Sequence, residues 1–433
     1  MDPDRTTSGT RAIIAASLGN LLEWYDFAVY ALFAIYIGAN FFPPGASGAG
    51  LVSAFLVFGL GFVIRPLGAV VIGIYGDRAG RKAALTATIL IMACGTLIIA
   101  IAPTYAAIGI GAAWVLLAGR VLQGFSAGGE IGSATAFLVE HAPAERKALF
   151  AAWLQASMGM SNILGALTAF IITSLLPHGD MVRFGWRIPF FIGLAIVPMG
   201  LYLRRTLAET PAFRAEMSVE RLARQPLRRV FREHPGELAA GFGISILWAI
   251  EVYVLLIFMP VFLQRTLGFM PAQAFGSSLA ENVVFVIGCF AFGALADRVG
   301  QRRVQVYGAV ALLVSILPLF TWLDHSRSMG VLICVLCACG IMTSSFSGVA
   351  PMALSSLFPT AVRATGVSLA YNAGFTLFGG FAPAILAALT ATGAGIYAPA
   401  WFVMLAALPA LLALRFQGGQ SPPALRPVAL EER

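Results

Sequence analysis

Charge is what this sequence has least of. Asp, Glu, Lys and Arg make up 11% of its 433 residues, against roughly 25% in a soluble domain. With 59% hydrophobic residues and a mean hydropathy of +0.85, no aqueous globule could cover the apolar surface, so a soluble domain is excluded. Histidine and cysteine are also scarce, at 4 and 5 residues. Cys94, Cys289, Cys334, Cys337 and Cys339 all fall inside apolar runs with no His or acid at zinc-ligand spacing. They read as small packing residues, and neither a metal site nor a cofactor is expected. A Gly-rich Lys-Ser/Thr phosphate loop is missing, which argues against an ATP-driven pump and leaves an ion gradient as the driving force. The Gly124-Phe-Ser126-Ala-Gly128 pattern matches a hydrolase nucleophile elbow, but it lies in an uninterrupted apolar run, and the nearest histidine, His141, is fifteen residues away. Without a strand-turn-helix and a converging acid and base, an enzyme is not expected.

What is abundant is long apolar runs. Crossing roughly 30 Å of hydrocarbon takes about 20 residues, and twelve such spans are expected, at about 12–41, 50–75, 83–103, 107–139, 148–175, 187–204, 238–262, 274–296, 304–324, 329–357, 365–390 and 396–416. Lys and Arg distribute unequally around them. If the N-terminus is cytoplasmic, 22 of the 28 lie on the inner side, 4 outside and 2 (Arg65 and Arg120) within spans. The positive-inside rule then places both termini in the cytoplasm. Glu23 and Asp26 inside the first span, with no small-residue cleavage site after it, speak against a removable signal peptide. The net charge of +8 is accounted for by membrane orientation, with no nucleic-acid partner implied.

The chain also repeats itself. Gly73-Ile-Tyr-Gly-Asp77-Arg78-Ala-Gly80-Arg81-Lys82 returns 220 positions later as Gly293-Ala-Leu-Ala-Asp297-Arg298-Val-Gly300-Gln-Arg302-Arg303. A second pair, Glu140-His-Ala-Pro143-Ala-Glu145-Arg146 and Phe358-Pro359-Thr-Ala-Val-Arg363, closes the fourth and tenth spans. A duplicated helical bundle shows such repetition. The expected organisation is a six-helix bundle over 1–204, a cytoplasmic linker over 205–237, a second bundle over 238–416 and a short tail over 417–433. Asp77, Arg78, Arg81, Glu140, Arg146, Asp297, Arg298 and Arg363 are expected to form charged latches on the cytoplasmic face, where a carboxylate can also meet a helix N-terminus. Gly124, Gly128 and Gly132, four residues apart, mark a close helix–helix contact.

Ionisable residues inside hydrocarbon are the functional candidates, because one at a helix centre costs about 2.5–3.5 kcal/mol even on insertion scales. Glu23, Asp26, Arg65, Arg120 and Glu251 each lie on the order of 15–20 Å from a span end, and so near mid-bilayer. Glu130 and Glu281 bring the buried set to five acids and two arginines. Desolvation and like-charge repulsion disfavour full ionisation of such a set, so at least one carboxyl is expected to exchange protons. Glu23, Asp26, Glu130 and Glu251 are the candidates. Glu23, Asp26 and Tyr30 share one helical stripe, as do Arg120 and Gln123. Arg65 or Arg120 can equally serve as a structural counter-ion to Glu23 or Asp26. The guanidinium fork suits a carboxylate, so Arg65 and Arg120, completed by Tyr30, Gln123, Tyr371 and Asn372, are the expected substrate contacts. A zwitterion would instead use an aromatic cage, for which Trp24, Tyr25, Trp248 and Tyr253 are available.

The repeated Gly/Asp/Arg loop resembles the signature loop of the major facilitator superfamily. Gly19-Asn20-Leu-Leu-Glu23-Trp24-Tyr25-Asp26-Phe27, Ile64-Arg65-Pro66-Leu-Gly68, Arg120-Val-Leu-Gln123-Gly124-Phe-Ser126-Ala-Gly128-Gly129-Glu130 and Trp186-Arg187-Ile-Pro189-Phe190-Phe191 are similar to motifs of its metabolite:proton symporters. That family imports citrate, 2-oxoglutarate, shikimate, proline and betaine. The resemblance implies an all-α membrane protein of twelve helices in two pseudo-symmetric bundles, working by alternating access as a monomer in the bacterial inner membrane. It implies proton symport of a small organic acid, with Glu23, Asp26, Arg65, Arg120 and Glu130 at its functional positions. A zwitterionic osmolyte or proton-driven export are the alternatives. Osmosensing members carry a long C-terminal helix, and this chain stops about seventeen residues after its last span, which weakens the osmolyte-sensor reading. Glu251 matches no motif of the family.

Overall fold

A computed structural model describes residues 20–21, 23–43, 48–79, 81–128, 130–206, 226–391 and 395–416, and all regular structure among them is helical. Among the described residues eight helices are each long and apolar enough to cross a membrane unaided, including Lys147–Leu175, Pro271–Val299 and Gln301–His325. The first, third, fourth and sixth spans complete the twelve expected, the fourth as Gly111–Ala127 followed by Glu130–His141. Its two ionisable residues, Arg120 and Glu130, lower its hydropathy. Termination follows local chemistry: Gly300, with φ of 94°, ends the Pro271–Val299 helix, where an L side chain would be strained.

Polarity is arranged inside-out relative to a soluble protein. Leu67, Trp114, Ile287, Val314, Leu405 and Phe416 are exposed, while Asp26, Arg65, Arg120, Glu251 and Glu281 are buried. Lipid accounts for the first set and an internal site for the second.

Several spans are broken at mid-depth, and functional candidates sit at the breaks. Ala49–Val63 gives way at Ile64 to Arg65–Ala79, so Arg65 stands beside Pro66, whose ring is tolerated at a helix start. The seventh span widens from Pro235–Ile250 into a π-helical segment, Glu251–Phe258, before continuing as Met259–Arg265. Phe375–Gly379 does the same in the eleventh span. Inserted residues of this kind re-aim side chains and recur at functional positions.

The glycine spacing in the fourth span has the packing role expected of it, divided between two neighbours. A Cβ at Gly124 would lie 1.7 Å from the Gly61 carbonyl oxygen, and one at Gly128 1.9 Å from that of Arg65. The second and fourth spans therefore touch backbone to backbone, which brings Arg65 and Arg120 into one neighbourhood. Gly132 faces the eleventh span instead, with Ala364 O 2.4 Å from its would-be Cβ.

The two six-helix bundles meet along Lys147–Leu175 against Pro271–Val299. They also meet at both ends of the eleventh span: Ala382–Ala391 packs on Ala49–Val63, and Arg363–Gly374 packs on Glu130–His141. The mid-depth residues are enclosed between these contacts.

Candidate substrate and proton site

Four side chains from three helices form one hydrogen-bonded chain. Arg120 Nη1 donates to Gln123 Oε1 at 2.6 Å, and Gln123 Nε2 donates to Thr96 Oγ1 at 3.0 Å. The Thr96 hydroxyl in turn donates to Asp26 Oδ2. Arg120 and Gln123 are one turn apart on the fourth span, as their shared stripe required. Asp26 comes from the first span and Thr96 from the third. Backbone proximity makes this possible: a Cβ on Gly193 would lie 2.8 Å from Asp26 Oδ1, and one on Gly95 would lie 2.7 Å from Gly119 O. Thr96 has one hydroxyl proton and two acceptors, since Oγ1 is also 3.1 Å from Met92 O.

Both buried arginines keep donors in reserve. Nε and Nη2 of Arg65 and of Arg120 have no hydrogen-bond partner, although the two side chains are 1% and 0% exposed. Aromatic faces hold them. The Arg120 guanidinium carbon lies 4.5 Å from the Tyr30 ring centroid, 4.6 Å from Phe58 and 4.7 Å from Phe27. That of Arg65 lies 4.1 Å from Phe62, 4.8 Å from Phe27 and 5.9 Å from Trp24. Phe27 thus serves both cations. Such contacts are worth about 2 kcal/mol when desolvated, yet they leave four N–H-bearing nitrogens of the pair able to bind an anion.

The second bundle closes the site with aromatics. Tyr253 packs on Trp24, Phe58 and Phe62 at centroid distances of 6.1, 5.8 and 5.4 Å. Tyr371 stacks on Phe375 at 3.9 Å and lies 5.1 Å from Trp248. The Tyr253 hydroxyl and Trp248 Nε1 are buried without partners. Arg65 and half-buried Glu23 both lie close enough to Tyr253 and Tyr371 to act on them electrostatically. Tyr25 belongs elsewhere, donating to Pro189 O at 3.1 Å.

The remaining candidates lie in different places. Tyr30 donates to Ala54 O at 2.9 Å, so its ring is a wall of the site while its hydroxyl is occupied. Asn372 Nδ2 donates to Gly128 O and to Ser368 Oγ, both at 3.2 Å, which ties the eleventh span to the turn in the fourth. Glu251 is fully buried and accepts from Ser347, with Oε2 unpartnered, and both oxygens of Glu281 are unpartnered. The Glu130 side chain lies outside the described residues, as do those of Asp77, Arg78 and Arg81. Among the described residues no cluster of His, Cys, Asp and Glu has metal-binding geometry.

Two latches connect the bundles on the face where the fourth and eighth spans end. Asp297 accepts from Ala148 N at 2.8 Å and Leu149 N at 3.0 Å, capping the Lys147–Leu175 helix. Arg363 Nη1 pairs with Glu140 Oε1 at 2.9 Å, while its Nε donates to Ser355 O at 3.1 Å. Arg146 and Arg298 on this face are exposed.

Residue spacing did not reveal Thr96, one of three threonines in its span. Its neighbour Gly95 was the only local sign that another helix comes close there.

Residues 12–237 match the family model described as Sugar (and other) transporter. The chain is 34% identical over 415 residues to a citrate-proton symporter of Salmonella typhi, covering 95% of this chain and 94% of that one. It is 33% identical over 411 residues to a proline/betaine transporter of Escherichia coli strain K12, covering 93% and 82%. Among solved structures, a D-xylose-proton symporter superposes with a TM-score of 0.75 at 18% identity, over 95% of this chain and 98% of that one, which establishes the fold. The twelve-helix architecture and these similarities together show that the chain is a transporter rather than an enzyme, and that it belongs to the sugar (and other) transporter family of the major facilitator superfamily.

Proposed function

We propose that the chain is a proton-coupled symporter that imports a small organic anion, a di- or tricarboxylate such as citrate, by alternating access. The observation that carries this reading is the pair of buried arginines on one Phe27 ring, each with two unpartnered donor nitrogens and one of them wired to Asp26. Relatives named citrate-proton symporters support it. The named proline/betaine transporters keep a zwitterion in view, and of the aromatic residues available to cage an ammonium group only Trp24 lies under one of the protein's own guanidinium groups, that of Arg65.

In this account the substrate carboxylates take the free Nε and Nη2 donors of Arg65 and Arg120. Proton binding at Asp26 removes the acceptor charge that holds the Thr96 proton, which then turns to Met92 O. The protonated Asp26 carboxyl then donates to Thr96 Oγ1 and competes with Gln123 Nε2 for that oxygen, which loosens Gln123 and Arg120 towards substrate, so proton and anion favour the same state. Glu23, Glu130 and Glu251 are further proton-coupling candidates. Tyr371, Tyr30 and Gln123 border the substrate, and Asn372 closes the passage between the bundles. Asp77, Arg78, Arg81, Glu140, Arg146, Asp297, Arg298 and Arg363 form the cytoplasmic gate. The organisation proposed is 1–204 and 238–416 as bundles, 205–237 as cytoplasmic linker and 417–433 as tail, with both termini inside, functioning as a monomer in the bacterial inner membrane without a cofactor.

Uptake into proteoliposomes under an imposed proton gradient, inward-directed with respect to the vesicle, tests the reading. Accumulation of labelled citrate, competed by di- and tricarboxylates and abolished by a protonophore, is expected. Competition by betaine or proline but not by carboxylates would refute the anion assignment, and export driven by the gradient would refute import.

A further inference from the structure

A second polar feature lies at the interface of the bundles, beside the arginine site. Ala28 and Leu32 of the first span, Asn162 of the fifth, Leu256 and Ile257 of the seventh, and Ser278 and Asn282 of the eighth line one narrow gap. Asn162 and Asn282 are 3% and 1% exposed. Both amide atoms of Asn162 are unpartnered, and so is Asn282 Oδ1. Two buried carboxamides from opposite bundles thus present unfilled hydrogen-bonding positions to the same small space, whereas buried polar atoms are nearly always satisfied.

The chemistry of the positions narrows what fits. Asn282 Nδ2 donates to the Ser278 carbonyl oxygen at 2.9 Å, which fixes that amide with its oxygen towards the gap. Asn162 supplies one donor group and one acceptor whichever way its amide is turned. Ser278 Oγ, 3.3 Å from Asn282 Nδ2, adds a hydroxyl, so the gap offers neutral donors and acceptors and no formal charge. A carboxylate would face two amide oxygens, and an ammonium group would waste the Asn162 donor. A hydroxyl satisfies both sides at once, because it donates to an amide oxygen and accepts from Asn162 Nδ2. Ala28 stands one turn after Trp24, which lies under the Arg65 guanidinium, and Leu256 and Ile257 follow by about one turn Tyr253, which packs on Trp24, so the two features are neighbours within reach of one small molecule.

We infer that Asn162 and Asn282 form a hydroxyl-recognition subsite, and that the preferred substrate is a hydroxylated di- or tricarboxylate rather than its deoxy analogue. This rests on the carboxylate reading above and adds a selectivity that the arginines alone do not supply. A site built to hydrogen-bond a hydroxyl rejects the analogue lacking it, because its own groups are then left buried and unpaired. A missing methylene is penalised far less.

Inhibition of labelled citrate uptake by two matched pairs, citrate with propane-1,2,3-tricarboxylate and malate with succinate, tests the inference. In the wild-type protein the hydroxylated member of each pair is expected to compete at least about tenfold better. Asn162→Leu should bring the ratio to within about twofold by weakening the hydroxylated member. Asn282→Ala, which removes the facing amide oxygen, should move the ratio the same way. Carboxylates that compete equally with or without the hydroxyl, or an undiminished ratio in folded variants, would overturn the subsite and leave the anion assignment standing. If labelled citrate is not taken up at all, the anion assignment falls and the subsite with it. Should both variants fail to fold, the wild-type ratio alone decides.

Discussion

Arg120 joins the two functions assigned to the site, since one of its nitrogens is bonded to Gln123 and two are unpartnered. Its planar fork allows this division, and a lysine ammonium, a compact point charge, does not. Arg120→Lys keeps the charge and loses both the bidentate geometry and the stacking on Tyr30, Phe27 and Phe58. A charge-assisted contact of this kind is worth about 1.5–3 kcal/mol, so the substrate Kd measured by calorimetry should rise by about tenfold to a hundredfold. Unchanged affinity in the folded variant would place the anion elsewhere. Both arginines and Asp26 were legible in the sequence because charge in hydrocarbon is rare and conspicuous. Thr96 was not, because a hydroxyl in a membrane helix commonly satisfies itself on the preceding turn, and Met92 O is within its reach here. Asn162 and Asn282 escaped for a related reason: neutral amides carry little hydropathy signal, and only their packing shows them unpaired.

Among elements, the contact on the face proposed as the cytoplasmic gate gives the clearest test. Asp297 supplies both oxygens to the first turn of the Lys147–Leu175 helix from the opposite bundle. The Arg363–Glu140 pair beside it is partly exposed, at 19% and 42%, and such pairs contribute about 0–1 kcal/mol. The cap therefore dominates this closure. Asp297→Ala removes about 1 kcal/mol, which shifts the balance between closed and open gates about fivefold. Dipolar distance measurements between spin labels at Glu145 and Arg303 should show the long-distance population growing by about that factor. An unchanged distribution would mean that Asp297 does not hold the gate. The element boundaries themselves were visible as apolar runs, and the Gly124 and Gly128 spacing correctly marked a close contact. The breaks at Ile64 and the π-helical segments at Glu251 and Phe375 were not visible, because they depend on how neighbouring helices pack rather than on local propensity.

At the scale of the whole molecule, coupling means that proton and substrate bias the same closure of the two bundles. The 220-residue repeat announced two related halves, but not which faces meet. That came from the pairing of Lys147–Leu175 with Pro271–Val299 and from the eleventh span touching the first bundle at both of its ends. One charge moved through 100 mV is worth about 2.3 kcal/mol, enough for about fifty-fold accumulation of substrate, provided the proton and the anion move together. The most direct measurement of that link is Asp26→Asn in proteoliposomes, following labelled citrate and lumenal pH together. Asn keeps the shape and an acceptor for Thr96 but has no titratable group to take up and release a proton. Loss of both gradient-driven accumulation and substrate-dependent acidification, with exchange of external for internal citrate retained, is the predicted result. An Asp26→Asn protein that still concentrates citrate and acidifies the lumen as the wild type does would contradict the account.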